Sequence, residues 1–242
     1  MATVTFAASA ADFRASVDVA EVIVVVAPAA ALKDGSAFAA LADCEPCAAV
    51  LASPATLAMA QDASPSVGGS SIATYVASGG KLGQLVLVAL PDSASRLYSP
   101  TQSMAMSGGL VDAGLGDDNA TVLVVLPAGD AVEPAACAIA RACPLFTRKS
   151  SAAESPASVV VGFVGADAQL LEGPAVSLVA PAAFEAVRLT ARLAETPTEQ
   201  MNTDTVEAEA RAAVAGLPNV EVESIVGEVG KTPFCDAILC QK

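Results

Sequence analysis

The chain has 242 residues, of which 54% are apolar, so it can bury a core large enough for one domain and part of a second. Aromatic residues make up only 4% of the sequence and tryptophan is absent, which disfavours a platform for stacking nucleic-acid bases. A formal net charge of −14 opposes binding to phosphate backbones, because proteins bind these mainly through lysine and arginine. We therefore expect no nucleic-acid partner.

Apolar, β-branched runs alternate with alanine-rich stretches along most of the chain. The predicted strands are Thr3–Phe6, Glu21–Val26, Gln84–Ala89, Thr121–Leu126 and Val159–Val164. The predicted helices are Ser36–Ala42, Ala48–Ala60, Pro100–Ala113, Val132–Cys143 and Pro181–Glu195. Strands that are nearly continuous in Val, Ile and Leu are typical of a sheet covered on both faces. The alternation predicts an α/β fold, a three-layer sandwich with a mostly parallel sheet.

Glycine-containing turns separate these elements. The expected turns are Asp34-Gly35, Gly68-Gly69, Gly79-Gly80, Gly108-Gly109 and residues 127–129, with a polar break at 149–156. The apolar run Val22–Leu32 follows Asp18 and Glu21 and is too short to span a bilayer, so it predicts a buried strand. We expect no membrane partner and a cytoplasmic chain, in which the six cysteines are reduced thiols.

A helix, a turn and a second helix follow the predicted sheet. Pro181 suits the first position of a helix, and Phe184, Val187, Ala191 and Ala194 form an apolar face with Arg188 beside it. Pro197 predicts an end to this helix near Glu195. Asn202 or Thr203 is expected to cap a second helix that runs to about Ala215, before a strand at Val220–Ser224.

Several residues have both a chemical and a structural interpretation. Cys44 and Cys47 form a C-x-x-C, which could be a redox pair or half of a zinc site, but histidine is absent and incidental thiols are the favoured interpretation. Cys137 and Cys143 are expected to be buried thiols in a helix. Glu195, Glu199 and Asp204 could serve acid–base chemistry or a metal, although capping and a solvated turn are favoured. We nominate no catalytic, cofactor-binding or metal-binding residue.

Two segments resemble the leucyl aminopeptidases, the M17 metallopeptidase family. Residues Arg188–Asp204, RLTARLAETPTEQMNTD, resemble the family's interdomain junction, in which a long helix leads into a D-T-P-x-N-E-M-x-x-D turn. Residues Ala135–Ser150, AACAIARACPLFTRKS, are similar to the ACALARAFPLFT segment of the animal aminopeptidase-like subgroup. The resemblance implies a macro-domain-like α/β domain over residues 1–180, an interdomain helix over 181–196, and the start of the peptidase domain over 197–242.

The resemblance also implies a function for the parent protein. Members of the family remove amino-terminal residues from peptides with two divalent metals, Zn²⁺ or Mn²⁺, and assemble as hexamers. Their metal-binding motifs, GKG-x-x-x-D-(S/T)-GG-x-x-x-K and N-T-D-A-E-G-R-L, do not occur here, so we expect the catalytic part to be absent from this chain. Glu199 and Gln200 replace the family's Asn and Glu, which favours the alternative of a non-catalytic structural or interaction protein derived from the same fold. A free-standing macro-like binding module is a third interpretation, but it would need a glycine-rich anion loop.

Overall fold

The computed structural model describes most of the chain and divides it into two compact units. The described residues are 2–42, 50–51, 53–66, 69–78, 81–92, 103–115, 118–126, 131–145, 157–165, 167–225 and 237–241. Unit 1 comprises Met1–Leu189 and unit 2 comprises Thr190–Lys242. The boundary between them falls inside one long helix.

Unit 1 alternates strands and helices over most of its length. Its strands are β1 (Thr3–Phe6), β2 (Val22–Pro28), β3 (Ser71–Ser78), β4 (Lys81–Leu90), β5 (Ala120–Val125) and β6 (Ser158–Val164). Its helices are α1 (Ala10–Val19), α2 (Ala29–Lys33), a 3-10 helix (Ser36–Leu41), α3 (Pro54–Asp62), α4 (Ser103–Asp112) and α5 (Val132–Ala142). A π-helical turn (Ala175–Val179) leads into α6 (Ala180–Glu195), which continues into unit 2.

The six strands form one sheet in the order β1-β6-β5-β2-β4-β3. Every neighbouring pair is parallel except β3 and β4, which pair antiparallel at one edge. The centre is a row of small β-branched residues, where Val24 of β2 lies opposite Val86 of β4 and Val122 of β5. Continuous apolar strands are required here because both faces of the central strands are covered.

Two hydrophobic clusters, one on each face of the sheet, form the core. The first packs α4, α5 and α6 against side chains such as Val24, Val86 and Val122. The second packs α1, α2, the 3-10 helix and α3 against residues such as Val25 and Leu87. Helices therefore cover both faces, and the predicted three-layer α/β sandwich with a mostly parallel sheet is confirmed.

The structure corrects several local predictions. Gly108 and Gly109 do not form a turn but lie inside α4, where a Cβ on Gly109 would overlap the side chain of Val88. The helix predicted at Ser36–Ala42 is a 3-10 helix over residues 36–41. Within the predicted helix Ala48–Ala60, Val50 and Leu51 are helical, and α3 starts at Pro54, after the Ser53 cap. The helix α1 and the strand β3 were not predicted. The expected turns at 79–80 and 127–129 and the polar break at 149–156 lie outside the described residues.

Unit 2 contains the end of α6, a second helix and a two-stranded sheet. The helix α7 (Thr203–Val214) is followed by β7 (Glu221–Ile225), which pairs antiparallel with β8 (Ala237–Gln241). No residue of α7 is buried. The predicted second helix and the strand after it are confirmed to within one residue.

Candidate functional site

The buried face of α6 carries a positive charge at its centre. Phe184 and Arg188 are both buried, so Arg188 lies on the packed face itself rather than beside it, which corrects the sequence-based expectation. The guanidinium lies 5.0 Å from the centre of the Phe184 ring. It donates through Nη2 to the Ala2 carbonyl at 3.3 Å and through Nη1 to Glu185 at 3.4 Å, while its buried Nε finds no partner among the described residues. The charge is therefore held by long hydrogen bonds and a cation–π contact.

Arg192 forms hydrogen bonds on both sides of the turn that follows α6. The side chain donates to both carboxylate oxygens of Glu209 on α7, at 2.9 and 2.5 Å. The Arg192 carbonyl accepts a hydrogen bond from Thr196 Oγ1 at 2.6 Å. Hydrogen bonds from Arg192 hold the pKa of the Glu209 carboxyl below its usual value, and those bonds raise the pKa of Arg192. A forked, two-bond contact of this kind fixes orientation as well as distance.

The start of α7 has the cap that the sequence predicts. Asn202 has extended backbone geometry, and its side chain accepts a hydrogen bond from the Thr205 amide at 3.1 Å. Farther along, Glu207 accepts hydrogen bonds from Ser224 of β7 and, at 2.8 Å, from Arg211, and these two bonds lower the pKa of Glu207. Arg211 also donates to Ser224 Oγ at 2.5 Å. These contacts join α7 to the strand that follows it.

The three junction carboxylates occupy separate places. Glu195 ends α6, Glu199 lies exposed in the turn, and Asp204 lies in the first turn of α7, where a helix dipole favours an acid. Across the part of the chain that the structure describes, no group of three or more His, Cys, Asp or Glu side chains is placed to hold a metal ion. Gln200 is also exposed in the turn, and its carbonyl accepts a hydrogen bond from Thr205 Oγ1 at 3.1 Å.

The described cysteines are free thiols on α5 and at its end. Burial raises the pKa of Cys143 to about 11, partly offset by the positive charge of Arg188. Partial burial, and then the nearby Glu133, raise the pKa of Cys137. A raised pKa leaves little thiolate at neutral pH. Cys143 is buried as predicted, whereas Cys137 is only partly buried. Cys44, Cys47 and Cys235 lie outside the described residues, as does the side chain of Cys240.

Unit 1 also contains a surface pocket of about 440 Å³. It lies where the segment before β3 meets α4 and the end of α5, and its lining comprises Gly69, Ser107, Gly108, Val111, Asp112 and Arg141. A smaller pocket of about 220 Å³ lies near the amino ends of β2 and β5. The sequence did not single out either pocket, because their lining comes from segments far apart in the chain. None of the helices within the described ranges is both long and apolar enough to cross a bilayer.

The mostly parallel six-stranded sheet with helices on both faces is a fold that also occurs in leucine aminopeptidases. Two solved structures share this fold over 92% of the chain and 42% of their own. One is leucine aminopeptidase LAP1 of Caenorhabditis elegans, with 18% identity and a TM-score of 0.61. The other is the apo form of leucyl aminopeptidase from Trypanosoma cruzi, with 20% identity and a TM-score of 0.66.

Sequence similarity points to the same family. The chain is 36% identical over 128 residues to the probable aminopeptidase NPEPL1 of Homo sapiens and to that of Pongo abelii. This match covers 51% of the chain and 24% of each relative, so the chain spans about a quarter of the length of these proteins. No family model matches the sequence. The resemblance to leucyl aminopeptidases is confirmed, and it extends over only part of their length.

Proposed function

We propose that this chain is the amino-terminal, assembly-type domain, with its interdomain helix, of a metal-dependent leucyl aminopeptidase. The parent enzyme would remove amino-terminal residues from peptides, in the cytoplasm, as a homohexamer. In this proposal the two divalent metals, Zn²⁺ or Mn²⁺, are bound by parts of the parent protein that this sequence does not contain. The family's metal-binding motifs do not occur in this chain, so we assign no catalytic step to its residues.

The observation that carries this proposal is the agreement between fold and sequence. The chain has the α/β fold of the aminopeptidase amino-terminal domain, and it is 36% identical to a probable aminopeptidase over half its length. The segment that most resembles the family in sequence, residues 188–204, forms the expected sequence of helix, turn and capped helix. Arg192 and Glu209 form an ion pair across that turn.

Hydrolysis of a chromogenic leucine anilide by the full-length gene product tests this function. We expect turnover that depends on Mn²⁺ or Zn²⁺ and is abolished by a chelator, because paired metals would activate the attacking water. The 242-residue chain alone, assayed in the same way, should be inactive and serves as the matched control. A folded, metal-supplied full-length protein without turnover would overturn the proposal.

The second candidate is a non-catalytic structural or interaction protein built on the same fold. It is favoured by Glu199 and Gln200, which replace the Asn and Glu of the family's junction motif. Both side chains are exposed in the turn, so restoring the family residues should leave the fold intact. The variant Glu199→Asn with Gln200→Glu, made in the full-length protein, separates the two candidates. Activity that appears only in this variant would favour a scaffold that has lost catalysis.

A further inference from the structure

The 440 Å³ pocket of unit 1 is an open depression on the surface, and its described lining comes from three separated segments. Its volume lies within the range of about 300–1,000 Å³ that small-molecule sites occupy. Gly69 precedes β3, Ser107 to Asp112 belong to α4, and Arg141 lies in the last turn of α5. The smaller pocket of 220 Å³ falls below that range and is lined mostly by apolar residues.

Two glycines, Gly69 and Gly108, expose backbone in one part of the pocket lining. Gly69 has a φ of 86°, and a Cβ at this position would overlap backbone atoms of Gly108 and Gly109. The segment before β3 therefore lies directly against α4. Because Gly69 and Gly108 have no side chains, a ligand can approach the main chain closely at this point.

Asp112 provides a fixed negative charge at one side of the pocket. One of its oxygens, Oδ2, accepts hydrogen bonds from the Ser71 amide at 2.9 Å and from Ser71 Oγ at 2.8 Å. Asp112 is also the last residue of α4, where the negative end of the helix dipole disfavours a carboxylate and favours a cation. The Asp112 carboxylate and the negative end of the α4 dipole together suit this part of the pocket to an ammonium group.

Arg141 provides a positive charge that is not paired with Asp112. Its side chain is exposed, and within the described ranges it takes part in no hydrogen bond or salt bridge. A guanidinium binds carboxylates through two parallel hydrogen bonds, which an unpaired arginine leaves available. Val111, which is 60% exposed, adds an apolar side chain to the lining.

We propose that this pocket binds a free α-amino acid with an apolar side chain. The ammonium group would bind Asp112, the carboxylate would bind Arg141, and the side chain would contact Val111. Fixed charges of opposite sign in one pocket, neither neutralising the other, match the two charges of a zwitterion. The choice of an amino acid among zwitterions rests on the proposed function, since such a molecule is the product of an aminopeptidase. The site would let the assembly domain sense product.

Nuclear magnetic resonance titration of the 242-residue chain with L-leucine tests this proposal. We expect saturable shifts of the amide signals of Gly69, Gly108 and Arg141. Leucinamide lacks the carboxylate and isocaproate lacks the ammonium group, so each should bind at least about tenfold more weakly, as loss of a charge-assisted hydrogen bond predicts. The variants Arg141→Gln and Asp112→Asn should each weaken leucine binding by a similar factor.

Two charge-neutralising variants outside the pocket are the matched controls. Lys33→Gln and Asp18→Asn remove one exposed charge of each sign and should leave leucine affinity unchanged. The absence of saturable shifts up to the solubility limit of leucine would overturn the proposal, as would equal binding of leucine and leucinamide. Asp112→Asn removes a hydrogen-bond acceptor of Ser71 and could loosen β3, whereas Arg141 makes no such contact, so Arg141→Gln tests the site without that complication. An inactive full-length protein would refute the proposed function. It would leave the leucine-induced amide shifts of the 242-residue chain unchanged, so the two proposals can fail separately.

Discussion

Single glycines determine how closely the backbone segments of unit 1 approach one another. Gly35 and Gly69 both have positive φ values, 81° and 86°, that side chains other than glycine rarely adopt. They differ in their surroundings, because a Cβ on Gly35 meets nothing within 4 Å, whereas one on Gly69 overlaps the backbone of α4. Substitution of Gly35 therefore measures the cost of the backbone conformation alone, whereas substitution of Gly69 measures that cost together with the cost of steric overlap.

We expect Gly69→Ala to destabilise the protein more than Gly35→Ala. The left-handed conformation alone should cost about 1–2 kcal/mol in Gly35→Ala. Overlap with α4 should add about 1–3 kcal/mol in Gly69→Ala, since backbone atoms cannot move aside as a side chain can. Urea denaturation of both variants measures the difference, and equal free energies of unfolding would contradict the close approach.

Arg188 is a buried charge with incomplete hydrogen bonding, which predicts an unusual response to mutation. Within the described part of the chain, its Nε has no partner, and its hydrogen bonds to Ala2 and Glu185 are 3.3 and 3.4 Å long. Replacing a poorly paired buried charge by an apolar side chain of similar size is often neutral or stabilising. We expect Arg188→Met to leave the free energy of unfolding unchanged or to raise it by up to about 2 kcal/mol.

The neighbouring Phe184 is the control for this prediction. It is also buried, on the same face of α6, but it is apolar, so Phe184→Ala should lower the free energy of unfolding by about 3–5 kcal/mol. Thermal and urea denaturation compare the two variants. A loss in Arg188→Met as large as that in Phe184→Ala would mean that the guanidinium makes a net stabilising contribution.

Within unit 2, α6 and α7 are joined by a forked ion pair whose strength depends on pH. Because Arg192 lowers the pKa of Glu209 in the folded chain, the pair stabilises the junction above the unfolded pKa of glutamate, about 4.3. That contribution is lost as the pH falls through the lower, folded pKa. Both side chains are about 30% exposed, so salt should weaken the pair.

We expect Arg192→Gln to raise the pKa of Glu209 toward its ordinary value. A carboxyl carbon titration by nuclear magnetic resonance measures this change directly. The charge-swapped double variant, Arg192→Glu with Glu209→Arg, should recover most of the hydrogen-exchange protection of α7 that Arg192→Glu alone removes. Arg211→Gln is the matched control, because Arg211 pairs with Glu207 and should leave the pKa of Glu209 unchanged. An unchanged pKa in Arg192→Gln would contradict the ion pair.

For the whole molecule, stability is concentrated in unit 1. The fully buried residues of both clusters belong to the sheet and its covering helices, whereas α7 has no buried residue. Hydrogen exchange should therefore be slowest for the amides of β2, β4 and β5 and much faster for those of α7. Equal protection of β5 and α7 would contradict this division.

We expect leucine truncations in the two units to differ sharply. Leu123 is fully buried in β5, so Leu123→Ala should lower the free energy of unfolding of unit 1 by about 2–5 kcal/mol. Leu217 is 54% exposed in unit 2, and Leu217→Ala should change stability by at most about 0.5 kcal/mol. Urea denaturation followed by hydrogen exchange distinguishes these outcomes, and a large loss in Leu217→Ala would mean that Leu217 is packed in solution.

The elements that sequence patterns predict well are those whose signal is local. The strands β2, β4, β5 and β6 are continuous runs of Val, Ile and Leu, and α5, α6 and α7 have clear helical patterns, so their positions were found to within about three residues. The strand β3, with the sequence SIATYVAS, carries β-branched and aromatic residues that indicate a strand, and it was overlooked. Gly108 and Gly109 were misassigned as a turn, because glycine also serves where a helix must approach a sheet closely.

The sequence by itself determined the α/β class, the succession of buried strands, a helix cap at Asn202 or Thr203 and the family resemblance, because each is encoded by residues close together in the chain. Only the tertiary structure decided which residues meet across it. It placed Arg188 in the core, paired Arg192 with Glu209, and brought Gly69, Asp112 and Arg141 to one pocket. These contacts depend on how helices pack on a twisted sheet, and no local pattern records that packing.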